Sequence, residues 1–393
     1  MTSPEPRGDD TDGAGMRPER IHATYRIRCD EALIEARAQA LVVEQSVEMP
    51  LGAIRDRDVL ETIVGQVASI TPAGDGVWNV VAALSTRTVG DDPGQLLNML
   101  FGNSSLQPEV ELVEAELPPA LRDALPGPAF GIAGLRALVG GSGGALTCTA
   151  LKPQGLPPDR LADLALTFAR AGIDVIKDDH GIADQSFAPF ERRVPAIQAA
   201  IERANRETGR DCVYAPSLSG GPGRLARQLR IARDAGVRCV LACPMIIGAA
   251  TFCETVRGGG DLAILAHPAL TGAARIASPL LLGRLMRLFG ADATIFPNFG
   301  GRFSYDRATC LAIAAAAREP LGPHRPILPV PAGGMHVERV EEMLDTFGPD
   351  VMLLIGGNLL EAGEAMAERS REFVERVHGF THTDRGGHAP ANR

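Results

Sequence analysis

Residues 145–179 read ALTCTALKPQGLPPDRLADLALTFARAGIDVIKDD, and this stretch decides the fold. A short aliphatic and β-branched run, 145–151, is followed by an amphipathic segment of helical spacing from Asp159, which stops at Gly172. A second apolar run, DVIKDD (174–179), comes next. Runs that are apolar throughout and alternate with helices imply parallel strands covered on both faces. The unit then repeats through CVYAPSL (212–218), CVLACP (239–244), LAILAHP (262–268), ATIFPNF (293–299), ILPVPAGG (327–334) and VMLLIGGN (351–358). Eight units over roughly 230 residues fit a closed (β/α)8 barrel better than an open sheet. The fold class expected is therefore α/β, with the barrel spanning 126–378.

Upstream, residues 20–125 read as a smaller α+β module of ferredoxin-like type. The order is a strand (IHATYRIRC, 21–29), a helix (30–45), a loop and further strands including GVWNVVAALS (76–85), a helix around 93–102 and a strand at 110–117. Residues 1–19 and 379–393 are too polar to bury a core, and disordered tails are expected there. The whole chain of 393 residues is 45% hydrophobic and carries a net charge of −9 with scattered Lys and Arg, which argues against a nucleic-acid partner. Its start has no apolar signal core, and no run of about 18 apolar residues follows, so a cytoplasmic protein without a membrane partner is expected. Seven cysteines without a Cys-x-x-Cys pair read as buried free thiols.

Barrel enzymes work at the C-terminal ends of their strands. Those ends collect Lys152, then Lys177, Asp178, Asp179 and His180, Pro216, Pro244, His267, Asn298, Gly333 with Gly334, and Gly356 with Gly357. Period-2 alternation puts Lys177 and Asp179 on the side of the barrel mouth. A buried lysine beside acids is the composition of a metal or proton-transfer site, and equally of an ion pair with Asp178 capping the next helix. His267 reads either as a ligand or as a hydrogen-bonded rim residue. The glycine pairs read either as a phosphate cradle or as simple turns.

The segment GIDVIKDDHGIADQSFAPFERRV (172–194) resembles the metal-site segment of the RuBisCO superfamily. TALKPQGL, ILAHPAL, PAGGMH and LLIGGN resemble its first-, fifth-, seventh- and eighth-strand blocks, in the right order. The resemblance implies that Lys177 reacts with CO2 to form a carbamate, which with Asp179 and His180 holds a divalent metal. Mg²⁺ is the first choice, and Mn²⁺ or another ion is open because His180 stands where the family has a glutamate. It further implies a base or electrostatic role for Lys152, substrate contact for His267, and phosphate binding by Gly333, Gly334, Gly356 and Gly357. Glu44 and Asn103 would reach into the barrel of a second copy, making a homodimer the expected assembly. Departures from the carboxylases are Gln154, Pro268, Thr271, Ile295, Arg302 and Ala332, which replace a lysine, an arginine, two histidines, the mobile-loop lysine and a serine. Carboxylation is therefore not expected. A non-carboxylating RuBisCO-like enzyme acting on a substrate with one phosphate is. The first reading is cleavage of 3-oxo-isoapionate 4-phosphate in carbohydrate breakdown, by transcarboxylation/hydrolysis or decarboxylation, with Arg302 holding the departing carboxylate. Alternatives are a methionine-salvage enolase or isomerase acting on a methylthio-sugar phosphate, and a degenerate homologue without catalysis.

Overall fold

The computed structural model describes residues 19–380 apart from 142, 259 and 304. Nearly all of the two stretches expected to be disordered lies outside those residues. The first strands are β1 (Arg20–Arg28), β2 (Gln66–Gly74), β3 (Val77–Ser85) and β4 (Val110–Glu116). They form a sheet in the order β2-β3-β1-β4, with β1 antiparallel to both β3 and β4. Together with helices Ile34–Glu44 and Pro93–Phe101, this is the βαββαβ arrangement of a ferredoxin-like module. Along β1 the residues Ile21, Ala23, Tyr25 and Ile27 are buried, so alternation sets which face meets the core. The Tyr25 hydroxyl donates to the Leu100 carbonyl at 2.5 Å, which ties that face to the second helix.

Eight parallel strands follow: β5 (Leu146–Leu151), β6 (Val175–Asp178), β7 (Val213–Ala215), β8 (Cys239–Ala242), β9 (Ala263–Ala266), β10 (Ala293–Pro297), β11 (Leu328–Ala332) and β12 (Met352–Leu354). They pair as β12-β5-β6-β7 and β8-β9-β10-β11. The β7–β8 seam is bonded from Leu241 N–H to Pro216 O (2.9 Å) and from Leu218 N–H to Leu241 O (2.8 Å), and β11 lies beside β12, so the sheet closes.

Inside the barrel one cluster takes alternate residues from the strands, among them Cys148, Val175, Val213, Leu241, Leu265, Val330 and Leu354. Ile132 and Leu135, on the helix Gly131–Leu138, cover its lower end. Asp292 fixes that helix by accepting the N–H groups of Phe130 (2.6 Å) and Gly131 (2.8 Å). The upper end has no such plug, because the inward alternation there changes from apolar to functional residues. The seven cysteines are free, six of them buried and Cys29 half-buried. Among the described residues no helix is long and apolar enough to cross a membrane.

Candidate active site

Continuing each strand two residues at a time past its last apolar inward position gives the upper rim. Cys148 and Ala150 lead to Lys152, Val175 leads to Lys177 and Asp179, and Ala263 and Leu265 lead to His267. In the same way Val330 and Ala332 lead to Gly334, and Met352 and Leu354 lead to Gly356. All of these rim residues line one cavity of about 780 Å³, as do His180, Arg302, Gly333 and Gly357. Lys177 is only 3% exposed. Its ammonium donates to the backbone carbonyl of Asp178 (3.1 Å), and burial lowers its pKa.

Asp179 is ion-paired with Lys152 and accepts the Gly181 N–H at 3.1 Å. Burial alone would raise its pKa, but the Lys152 hydrogen bond, the Gly181 amide and the charges of Lys152 and Lys177 hold it down at about 2. The His180 Nδ1 lies 3.5 Å from Asp179, and its ring stacks on that of His267 with centroids 4.1 Å apart. Burial and the charge of Lys177 push His267 down to about 2. The Ala269 N–H donates to His267 Nδ1 at 3.1 Å, which leaves the proton of the neutral ring on Nε2. Burial lowers the His180 pKa as well. Two stacked, neutral imidazoles therefore adjoin a lysine–aspartate pair in a single cavity.

Asp178 turns the other way. It is fully buried against Arg193 (3.1 Å), the Tyr214 hydroxyl (2.7 Å) and the Ser217 N–H (3.0 Å). Asp178 thus pairs with Arg193 and caps no helix. The helix Phe190–Thr208 is instead met by Asp184, which accepts the Phe190 N–H at 2.7 Å. Three other strand-end residues do not line the cavity: Pro216, Pro244 and Asn298, the last buried with its amide nitrogen 3.0 Å from the sulfurs of Met335 and Met343. Glu44 and Asn103 also lie outside it, bonded to each other from Asn103 Nδ2 to Glu44 Oε1 at 2.9 Å.

Gly333 and Gly334 adopt positive φ of 84° and 98°. A Cβ on Gly334 would come within 2.9 Å of the Arg302 backbone nitrogen, so this turn needs glycine to accept the neighbouring loop. Sequence reasoning passed over Leu270, Tyr305, His336 and Asn358, which also line the cavity. Leu270, Tyr305 and His336 lie on loops beyond the strand ends and Asn358 on the one-turn helix Gly357–Glu361, segments too short or irregular for period 2 or period 3.6 to give a signal.

Residues 131–370 match the family model of the ribulose bisphosphate carboxylase large chain, catalytic domain. A 5-methylthioribulose-1-phosphate isomerase of Rhodospirillum rubrum is 55% identical over 362 residues, 92% of this chain and 97% of that one. A 2,3-diketo-5-methylthiopentyl-1-phosphate enolase of Geobacillus thermodenitrificans is 33% identical, covering 86% of this chain and 87% of its own length. The crystal structure of a RuBisCO-like protein from Rhodopseudomonas palustris superposes with a TM-score of 0.87 at 48% identity, covering 93% of this chain and 99% of that one. The chain is a member of the RuBisCO large-chain family, and within it a non-carboxylating, RuBisCO-like enzyme.

Proposed function

We propose that this enzyme isomerises a 5-methylthio-sugar phosphate by moving a proton between carbons next to a carbonyl. The observation that carries the reading is the convergence of Lys152, Asp179 and the His180–His267 stack in one cavity whose β9 wall is Pro268–Ala269–Leu270–Thr271. That wall offers no cation for a second phosphate, so a sugar with one phosphate and an apolar far end suits it. Support also comes from the relatives named for methylthio-sugar and methylthiopentyl phosphates, one of them similar over nearly the whole chain. The support therefore falls on the methionine-salvage reading and not on 3-oxo-isoapionate 4-phosphate.

In this reading the neutral-amine form of Lys152 takes the proton from the carbon beside the carbonyl and returns it to the neighbouring carbon, and Asp179 pairs with the ammonium formed in between, as it does with Lys152 in the structure. Neutral His267 presents its Nε2–H to a substrate oxygen that becomes negative as the proton leaves. Gly333, Gly334, Gly356 and Gly357 bind the phosphate through their backbone amides. The metal fit is conditional, since no three His, Cys, Asp or Glu side chains converge to hold an ion among the described residues. Asp179 and His180 supply two donors, and a carbamate on Lys177 would supply the third, consistent with burial favouring the neutral amine that CO2 attacks. A bound Mg²⁺ or Mn²⁺ would add positive charge for the enediolate oxygens. Glu44 and Asn103 act, on this proposal, in the cavity of a second copy.

Incubation of 5-methylthioribulose 1-phosphate with enzyme, Mg²⁺ and bicarbonate in D2O tests the reading by ¹H and ³¹P NMR. Deuterium uptake with formation of an isomeric sugar phosphate, and no loss of carbon, is the expected result. An inert thioether substrate, with CO2 released from 3-oxo-isoapionate 4-phosphate, would overturn it.

A further inference from the structure

After β9 and His267 the chain makes a tight turn whose residues 268–272 all face the cavity. Leu270 lies at its tip with φ +70° and ψ −1°, a left-handed conformation that a branched side chain adopts at a cost and glycine adopts freely. It is also 60% exposed, so it spends apolar surface on water as well. The turn is held from several sides: Thr271 N–H donates to Pro268 O (3.0 Å), Thr271 Oγ1 donates to the same oxygen (2.7 Å), and Ala273 N–H donates to Leu270 O (3.1 Å). Its backbone is therefore fixed without help from the leucine side chain. A turn with no use for that side chain would be more stable with glycine at this position.

In the order of the barrel, β9 is the fifth strand and the glycine pairs follow the seventh and eighth. The wall that carries Leu270 lines the same cavity as those glycines, with β10 between β9 and β11. A second large apolar side chain of the cavity, Phe303, is 52% exposed, and its ring packs on Gly333, where a Cβ would lie 3.0 Å away.

We infer that Leu270 is the specificity-determining residue for the substrate end remote from the phosphate, and that it selects an uncharged, thioether-like group there. The inference rests on the isomerase reading for its phosphate-to-thioether frame. Two unreactive analogues that differ only at that end, 5-methylthioribitol 1-phosphate and ribitol 1-phosphate, test it by calorimetric titration of the intact protein. Wild type should bind the thioether about 10- to 100-fold more tightly, the range expected for burying a small apolar group. Leu270→Asn keeps a residue that tolerates the left-handed turn, and Leu270→Gly relieves it. Both should bring the ratio close to one while the melting temperature stays at or above that of wild type. Equal binding of the two analogues by wild type, or an unchanged ratio in both variants, overturns the inference. Turnover of the thioether sugar without end preference would remove this inference and leave the isomerase reading standing. End-preferring binding without turnover would do the reverse.

Discussion

His180 and His267 share a stack but make different predictions. His180 follows Asp179 directly and points its Nδ1 toward it, the arrangement of a neighbouring ligand. If it ligates, His180→Glu adds a hard oxygen donor and shifts preference toward Mg²⁺. If it serves only as an acid or base, metal affinity stays put and turnover falls by roughly 10²–10⁴-fold. Titrating Mg²⁺ and Mn²⁺ into both proteins alongside turnover separates the two, and the ligand role predicts the affinity change. His267 is held neutral down to about 2 in the folded protein, against about 6.5 when unfolded. Its contribution to stability is therefore complete above pH 6.5 and is lost as pH falls from there toward 2. His267→Gln should flatten the acid limb by up to about 1.4 kcal/mol per pH unit, measured by urea unfolding at a series of pH values. An unchanged limb would mean the ring protonates without penalty. Residue positions of this kind were partly legible in the sequence: the ends of single strands gave Lys152, Lys177, Asp179 and His267, and alternation put Lys177 and Asp179 on one side. It could not find the His180–His267 stack, because the two rings come from strands separated by two others in the barrel.

At the scale of elements, the strand end and the loop after it are joined by a buried guanidinium. Arg193, on the helix Phe190–Thr208, pairs with Asp178 and donates from Nη1 to the carbonyls of Ala183 (2.8 Å) and Ala188 (2.6 Å). The loop that begins at His180 is thus pinned to the strand that carries Lys177. Replacing Arg193 with Met leaves a buried carboxylate without its cation, and a loss of about 3–5 kcal/mol in chemical unfolding is expected. Adding Asp178→Asn should recover part of that loss, because the neutral amide no longer needs a cation, its oxygen accepts the Ser217 N–H and its nitrogen donates to the Tyr214 hydroxyl oxygen. A double variant no more stable than Arg193→Met would show that the pinned loop, and not the charge, dominates. Asp178 read from the sequence as a rim residue or a helix cap, and its partner fifteen residues on depends on how a helix packs against the barrel, which no local pattern encodes. The same limit applies to the edge strand β2, largely exposed and interrupted by Pro72, whose pattern is too weak to mark its bounds.

For the whole molecule, eight apolar runs at regular spacing made the barrel legible, since closure needs only strand count and alternation. The ferredoxin-like module was legible too, and on the dimer proposal its role lies in a second copy. It docks on the barrel through β4, where Leu112 N–H donates to Arg275 O (2.9 Å) and Ala277 N–H donates to Leu112 O (2.8 Å). That contact leaves Glu44 and Asn103 away from the cavity of their own chain. If a two-fold dimer brings them to the partner's cavity, each site combines a barrel from one copy with a module from the other. Glu44→Gln and Lys177→Ala proteins would each be inactive, but in a mixed dimer one of the two sites is intact. Random exchange makes half the dimers mixed, so about a quarter of the wild-type activity should return after mixing. Subunit exchange is followed independently by native mass spectrometry of the two variants, one isotope-labelled. Full exchange with no return of activity would mean that each chain completes its own site.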